Sequence, residues 1–189
     1  MCMECPTANA NIGLGEKECN DIAQKLSVLL ASEYMFFTKA YKYHWNVRSP
    51  FFSQLHLLFE KLYESHFSSV DEIAERIRML GHEAPGTLAE FIEKSIIEET
   101  PGFNPSECFM LAEILGDLET MIQQMRKDLN SIEKIDQVTA DLLIGKIGAY
   151  EKEAWFLRSH LEMVEDECED DEEEVAAPAP KKNNNHKNK

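Results

Sequence analysis

Residues 51–80 read FFSQLHLLFEKLYESHFSSVDEIAERIRML, and the periodicity of this stretch decides the fold. At about 100° per residue, with His56 at zero, Leu55, Phe59, Leu62, Val70, Ile73 and Ile77 fall between roughly 240° and 320°. His56, Glu60, Asp71 and Glu75 fall between zero and roughly 100°, on the adjoining arc. An amphipathic helix of this kind must bury its apolar stripe against other helices. A histidine and three carboxylates then line the edge of the buried seam.

Working outward, the same period continues on both sides. From about Glu16 to Trp45, Ile22, Leu26, Leu29, Leu30, Phe37, Tyr41 and His44 recur at three- and four-residue steps, until Asn46-Val47-Arg48-Ser49-Pro50 breaks the helix. Gly81 ends the second helix. A long connection follows, in which Thr87 to Lys94 reads as a short amphipathic helix. The third long helix is expected from Asn104, with Asn104 as cap, Pro105 in the first turn and Glu107 in the capping-box position, and it runs to about Asn130. The fourth runs from Asp136, a good N-cap, to about Val164. Strand-like segments are nearly absent. The expected fold is an all-α four-helix bundle over residues 16–164, with a short extra helix between helices two and three.

Residues 1–15 are expected to be a flexible arm and residues 165–189 a disordered tail. From Glu165 to Glu174 every residue but Cys168 is acidic, and Ala176 to Lys189 is rich in Pro, Asn and Lys. The chain has 189 residues, enough to bury a substantial core, and a formal charge of −16. The tail holds nine acids and four lysines, a net of −5, which leaves −11 on the rest. Such a surface attracts cations and repels nucleic acid. No apolar run is long enough to span a membrane. The first fifteen residues lack the basic and apolar regions of a signal peptide, so a cytoplasmic location is expected. Five scattered cysteines (Cys2, Cys5, Cys19, Cys108 and Cys168) do not suggest a disulfide framework, and a lone Cys2-x-x-Cys5 is weak as a metal or redox motif.

The break between the first two helices centres near residue 48, so an antiparallel hairpin brings His44 level with the first turns of the second helix. His44, His56 and Glu60 then converge as two nitrogens and an oxygen, a set suited to Fe2+ or another first-row metal. Asp71 lies eleven residues beyond Glu60, about 16 Å along the helix, too far to share an ion within one chain. Either Asp71 and Glu75 are unrelated to the histidines, or they complete the site of a second subunit across a two-fold axis.

The run His44-Trp45-Asn46, then His56, Glu60 and Asp71-x-x-x-Glu75, resembles the Dps family of mini-ferritins. The segment Asp71-Glu72-Ile73-Ala74-Glu75-Arg76-Ile77-Arg78 before Leu80-Gly81 is similar to it too, as are Thr139-Ala140-Asp141 and Glu151-Lys152-Glu153-Ala154-Trp155. The likeness covers about Glu16 to Glu162, with Glu60 standing where the family often has Asp. It implies a ferritin-like bundle and a ferroxidase centre between two-fold-related subunits, with iron bound by His44, His56, Glu60, Asp71 and Glu75. It also implies a dodecameric shell with a mineral cavity, hydrogen peroxide (or dioxygen) as oxidant, and protection from oxidative stress. Asp136 and Asp141 would line three-fold pores, although Asp136 is equally suited to plain capping. Trp45 would either quench radicals beside the iron or pack the dimer interface. His66 points toward the apolar arc and is expected to be structural.

Larger ferritins place two irons inside one bundle with Glu-x-x-His pairs. The positions three before each histidine here are Tyr41, Ser53, Tyr63, Met79, Leu157 and Asn183, so an intrabundle di-iron site is not expected. DNA binding is expected to be weak or absent: the N-terminal end carries only Lys17, just past the arm, and the acidic run stands beside the tail's lysines. The rival readings are a non-catalytic DNA-compacting protein and a metal-sequestering bundle without turnover.

Overall fold

Each long apolar stripe can be buried only against another, and the chain does this with four helices. The computed structural model describes residues 10–102 and 105–162. They form α1 (Glu16–Asn46), α2 (Phe52–Met79), α3 (Leu88–Lys94), α4 (Glu107–Ile132) and α5 (Gln137–Leu161). There is no strand among the described residues. The expected tail from residue 165, the first nine residues of the arm and Asn104 lie outside them.

Helices α1 and α2 pair as one hairpin and α4 and α5 as another, and α1 also packs on α4. The core runs the length of the bundle: Leu26, Leu30 and Phe36 from α1, Phe59, Ile73 and Ile77 from α2, Ile114 and Leu118 from α4, and Leu143 and Leu157 from α5. Helix α3 closes the long connection over α1, where Phe91 stacks on Tyr34 at 4.4 Å. It begins with a full capping box between Thr87 and Glu90.

The helix ends follow local chemistry. Gly15 precedes α1, its amide donating to Glu18 at 2.9 Å. Gly81 stops α2 at φ +85°, where a side chain would be strained and would crowd Ala10 at 3.2 Å. The start of α4 differs from expectation. Ser106 caps it, its hydroxyl accepting from the Phe109 amide at 3.4 Å, and the helix proper begins at Glu107. Serine caps as well as asparagine does, so composition alone could not choose between the two. Asp136 caps α5 as expected, accepting from the Val138 amide at 3.1 Å.

The cysteine reading also needs correction. Cys19 is a buried free thiol, but Cys108 is disulfide-bonded. A bridge depends on Cα atoms lying within about 7 Å of each other, and sequence spacing carries no such information.

Candidate metal centre

The α1–α2 hairpin sets the last turn of α1 against the first turns of α2. The His44 ring lies 3.7 Å from the His56 ring, nearly parallel to it. Each ring donates from Nδ1 to the other residue's main-chain carbonyl, both at 2.9 Å. A carbonyl can only accept, so each Nδ1 carries the proton. In the neutral ring each Nε2 is then the lone-pair donor, and neither makes a hydrogen bond among the described residues. His44 is buried and His56 half-buried. Phe52 flanks His56 at 5.0 Å, and Tyr63 stands edge-on to His44 at 5.1 Å.

Glu60 is half-buried one turn beyond His56, and the Tyr63 hydroxyl lies 3.5 Å from its Oε1. Burial and the nearby Glu60 and Glu64 raise the Tyr63 phenol above its ordinary range, so it stays protonated. Asp71 and Glu75 are exposed about three to four turns on along α2. The structure thus brings His44, His56 and Glu60 to one end of the hairpin and leaves Asp71 and Glu75 apart from them. Among the described residues, no group of three His, Cys, Asp or Glu side chains within one chain could enclose a metal ion. Trp45, next to His44, is exposed, its ring 4.1 Å from Tyr41.

A second polar cluster lies deep in the bundle. His66 is fully buried, its Nδ1 2.5 Å from Glu33 of α1 and its Nε2 3.1 Å from Glu153 of α5. Burial by itself would lower the imidazole, but the two carboxylates outweigh it and push it up to about 9. The Tyr150 hydroxyl donates to Glu33, Ser69 donates to Tyr150 at 2.7 Å, and Lys146 donates to Ser69 at 2.7 Å and to Glu72 at 2.9 Å. Burial and Glu33 raise Tyr150 well above the usual phenol range. Both imidazole nitrogens are taken by carboxylates. The residue three before His66, Tyr63, faces the histidine pair instead.

Sequence reasoning placed His66 toward the core but missed its partners. Glu33 could have been found: it follows Leu26, Leu29 and Leu30 at helical steps, a carboxylate in a core position. A further unforeseen cluster joins α1 to α4, with the buried Lys39 donating to Glu113 at 3.1 Å and to Asp117 at 2.5 Å, and Tyr43 donating to Glu113. Asp136 is buried and paired with Arg76 at 2.6 Å as well as capping α5. Its charge is therefore already engaged, whereas Asp141 is exposed.

The Ferritin-like domain family matches residues 23–166. Over 154 residues the chain is 38% identical to a low temperature-induced protein of Nostoc sp., covering 80% of this chain and 86% of the relative. Over 141 residues it is 36% identical to DNA protection during starvation protein 2 of Bacillus anthracis, covering 74% and 96%. The solved Dps protein of Vibrio cholerae, described as a member of a broad superfamily of ferritin-like diiron-carboxylate proteins, matches with a TM-score of 0.77 at 26% identity, covering 84% of this chain and 99% of that one. The five-helix arrangement is thus that of the ferritin-like proteins. Within that class, the chain belongs to the Dps family.

Proposed function

We propose that this chain is a mini-ferritin subunit that oxidises Fe2+ and stores the product as ferric mineral inside a dodecameric shell. The iron binds between two-fold-related copies. His44, His56 and Glu60 of one subunit hold it together with Asp71 and Glu75 of the other. Hydrogen peroxide is the oxidant, with dioxygen slower. Two Fe2+ and one peroxide give two Fe3+ and two hydroxides, so the electrons balance without a radical, and the cell is protected from both reactants.

The observation that carries this reading is the reciprocal pair of hydrogen bonds between His44 and His56. It commits both Nδ1 atoms to the backbone and leaves both Nε2 atoms free, with Glu60 one helical turn beyond His56 on the same half-buried surface. His44, His56 and Glu60 would supply an open half-site that closes on a metal only in the assembly, and the carboxylates further along α2 suit the other half in an antiparallel partner. The diiron-carboxylate description of the Vibrio cholerae protein supports iron as the metal. Separate exposed apolar groups support assembly: Trp45, Phe51, Phe52 and Phe67 near the hairpin, Trp155 and Phe156 late in α5, and Ile12, Met79, Ile135 and Val138 along one cleft.

The test charges the purified protein with Fe2+ without oxygen, adds hydrogen peroxide and follows ferric absorbance. Fast oxidation with iron retained in a large soluble assembly is the expected result, and it is lost in a His44→Ala/His56→Ala variant. Unchanged oxidation in that variant would refute the proposed centre. Tight binding of Fe2+ without turnover would favour the sequestering reading.

A further inference from the structure

Cys108 is disulfide-bonded and Cys19 is free, so the other half of the bond is Cys2, Cys5 or Cys168. The first two start from the wrong end of the bundle. Ala10 packs against Gly81 past the end of α2, and Ile12 lines a cleft with the α4–α5 connection. Cys108 stands at the opposite end of α4, about 36 Å back from Ile132 at 1.5 Å per residue. From Ala10 the chain reaches at most about 18 Å to Cys5 and about 29 Å to Cys2, even fully extended. Cys168 starts from the right end. Arg158 donates to Glu119 at 2.6 Å and Arg126 donates to Glu151, so each step along α5 is matched by one step back along α4. That register puts Cys108 level with about position 169. The apolar pattern agrees: Tyr150, Ala154 and Leu157 are buried, Leu161 packs on the core, and the same three- and four-residue steps continue in the sequence through Val164 to Cys168.

We propose that Cys108 and Cys168 form a reversible disulfide that clasps the acidic run Glu165–Glu174 to the bundle. Cys168 lies outside the described residues, seven positions after Leu161, and that length of chain covers the remaining distance to Cys108, about 12 Å along α4. Hydrogen peroxide closes the bond: 2 R–SH + H2O2 → R–S–S–R + 2 H2O. One sulfur takes an oxygen from the peroxide, breaking the O–O bond and giving a sulfenic acid; the second sulfur then displaces that oxygen, which leaves as water. A thiolate reductant reopens the bond by exchange. The core does not depend on it, because Leu111, Ile114 and Leu157 are buried against one another's helices without it. Reduction therefore frees the segment past Glu162 and leaves the bundle folded. The place of the clasp gives it a consequence. Lys39 donates to Asp117 at 2.5 Å and Tyr43 donates to Glu113, a register that sets Cys108 level with the break at Arg48, the end that carries His44 and His56. The oxidised pair holds nine carboxylates at that end, where they attract cations, and the reduced pair lets them go. The bond itself stands whether or not the iron centre proposed above does.

The experiment takes the full-length protein reduced and free of metal, adds hydrogen peroxide equal to the chain, alkylates the thiols that remain, and digests without reductant for mass spectrometry. A peptide with Cys108 joined to one with Cys168 is the expected product, with Cys19 alkylated and two thiols lost per peroxide consumed. Cys168→Ser should leave Cys108 alkylated, and Cys2→Ser/Cys5→Ser should keep the link. Reduced glutathione should reopen it. Hydrogen exchange then reads the clasp: reduction should speed exchange several-fold at the C-terminal turn of α5 and leave the middle of α4 unchanged, and Cys168→Ser should exchange like the reduced wild type in both states. Cys108 joined to Cys2 or Cys5, a link between two chains, or Cys108 alkylated in the oxidised wild type would overturn the pairing. A bond that glutathione leaves closed, or exchange that is equal in the two states, would overturn the reversible clasp. None of these readings uses iron, so failure of the iron centre leaves them standing and their failure leaves it untouched.

Discussion

His66 sits where an uncharged side chain would be easiest to bury, yet it carries a carboxylate on each ring nitrogen. Its imidazole is pushed up to about 9 because Glu33 and Glu153 outweigh the cost of burial. A folded-state value above the ordinary 6.5 means that protonated His66 contributes its full stabilisation below about pH 6.5, and that this is lost as pH rises through about 9. The contribution is at most about 3 kcal/mol. His66→Asn should remove it and leave the buried Glu33 and the half-buried Glu153 without their counter-charge, a cost of roughly 3–5 kcal/mol. Thermal melts at neutral pH should therefore place the variant well below the wild type. A pH series should show the wild type falling through the window from about 6.5 to 9 and the variant staying flat across it. Parallel slopes would mean that some other group titrates there.

At the scale of elements, the beginning of α5 depends on a single side chain. Asp136 accepts from the Val138 amide at 3.1 Å and from Arg76 at 2.6 Å, and the Thr139 hydroxyl donates to it as well. Burial alone would raise its carboxyl, but the Thr139 and Arg76 hydrogen bonds hold it below the usual range. Asp136→Ala removes the cap and leaves Arg76 without its carboxylate counter-charge, so a loss of roughly 2–3 kcal/mol is expected in urea unfolding. Asp136→Asn keeps an N-capping side chain and should fall between the two. The organisation of α2 is equally consequential. One straight helix carries His56 and Glu60 at one end and Asp71 and Glu75 at the other, and its rigidity prevents the two sets from sharing an ion in one chain.

For the whole molecule, charge decides what the surface can approach. The formal −16 of the chain would be multiplied in any shell of many copies, which favours gathering of cations and opposes a polyanion. The lysines at 181, 182, 187 and 189 follow a run of nine acids. Duplex DNA is therefore expected to stay unshifted in a gel titration at physiological salt, with retardation confined to low ionic strength. Tight retardation that survives deletion of residues 165–189 would contradict this. The relatives' name, DNA protection during starvation, describes an outcome that removing iron and peroxide could also achieve without contact.

Helical periodicity is local, and the 3.6-residue repeat therefore marked the four long helices and the short α3 in the sequence itself. The same is true of the Asp136 cap and of the stripe that carries His56, Glu60, Asp71 and Glu75. The level of His44 against His56 also followed, because a short break leaves an antiparallel hairpin little freedom of register. What only the tertiary structure decided are contacts between distant segments. Glu33 meets His66 across 33 positions and Tyr150 across 117, and no spacing rule anticipates either. The proton on each Nδ1 and the disulfide at Cys108 belong to the same category. Local propensity specifies which face of a helix is buried; only packing specifies which buried polar group finds which partner.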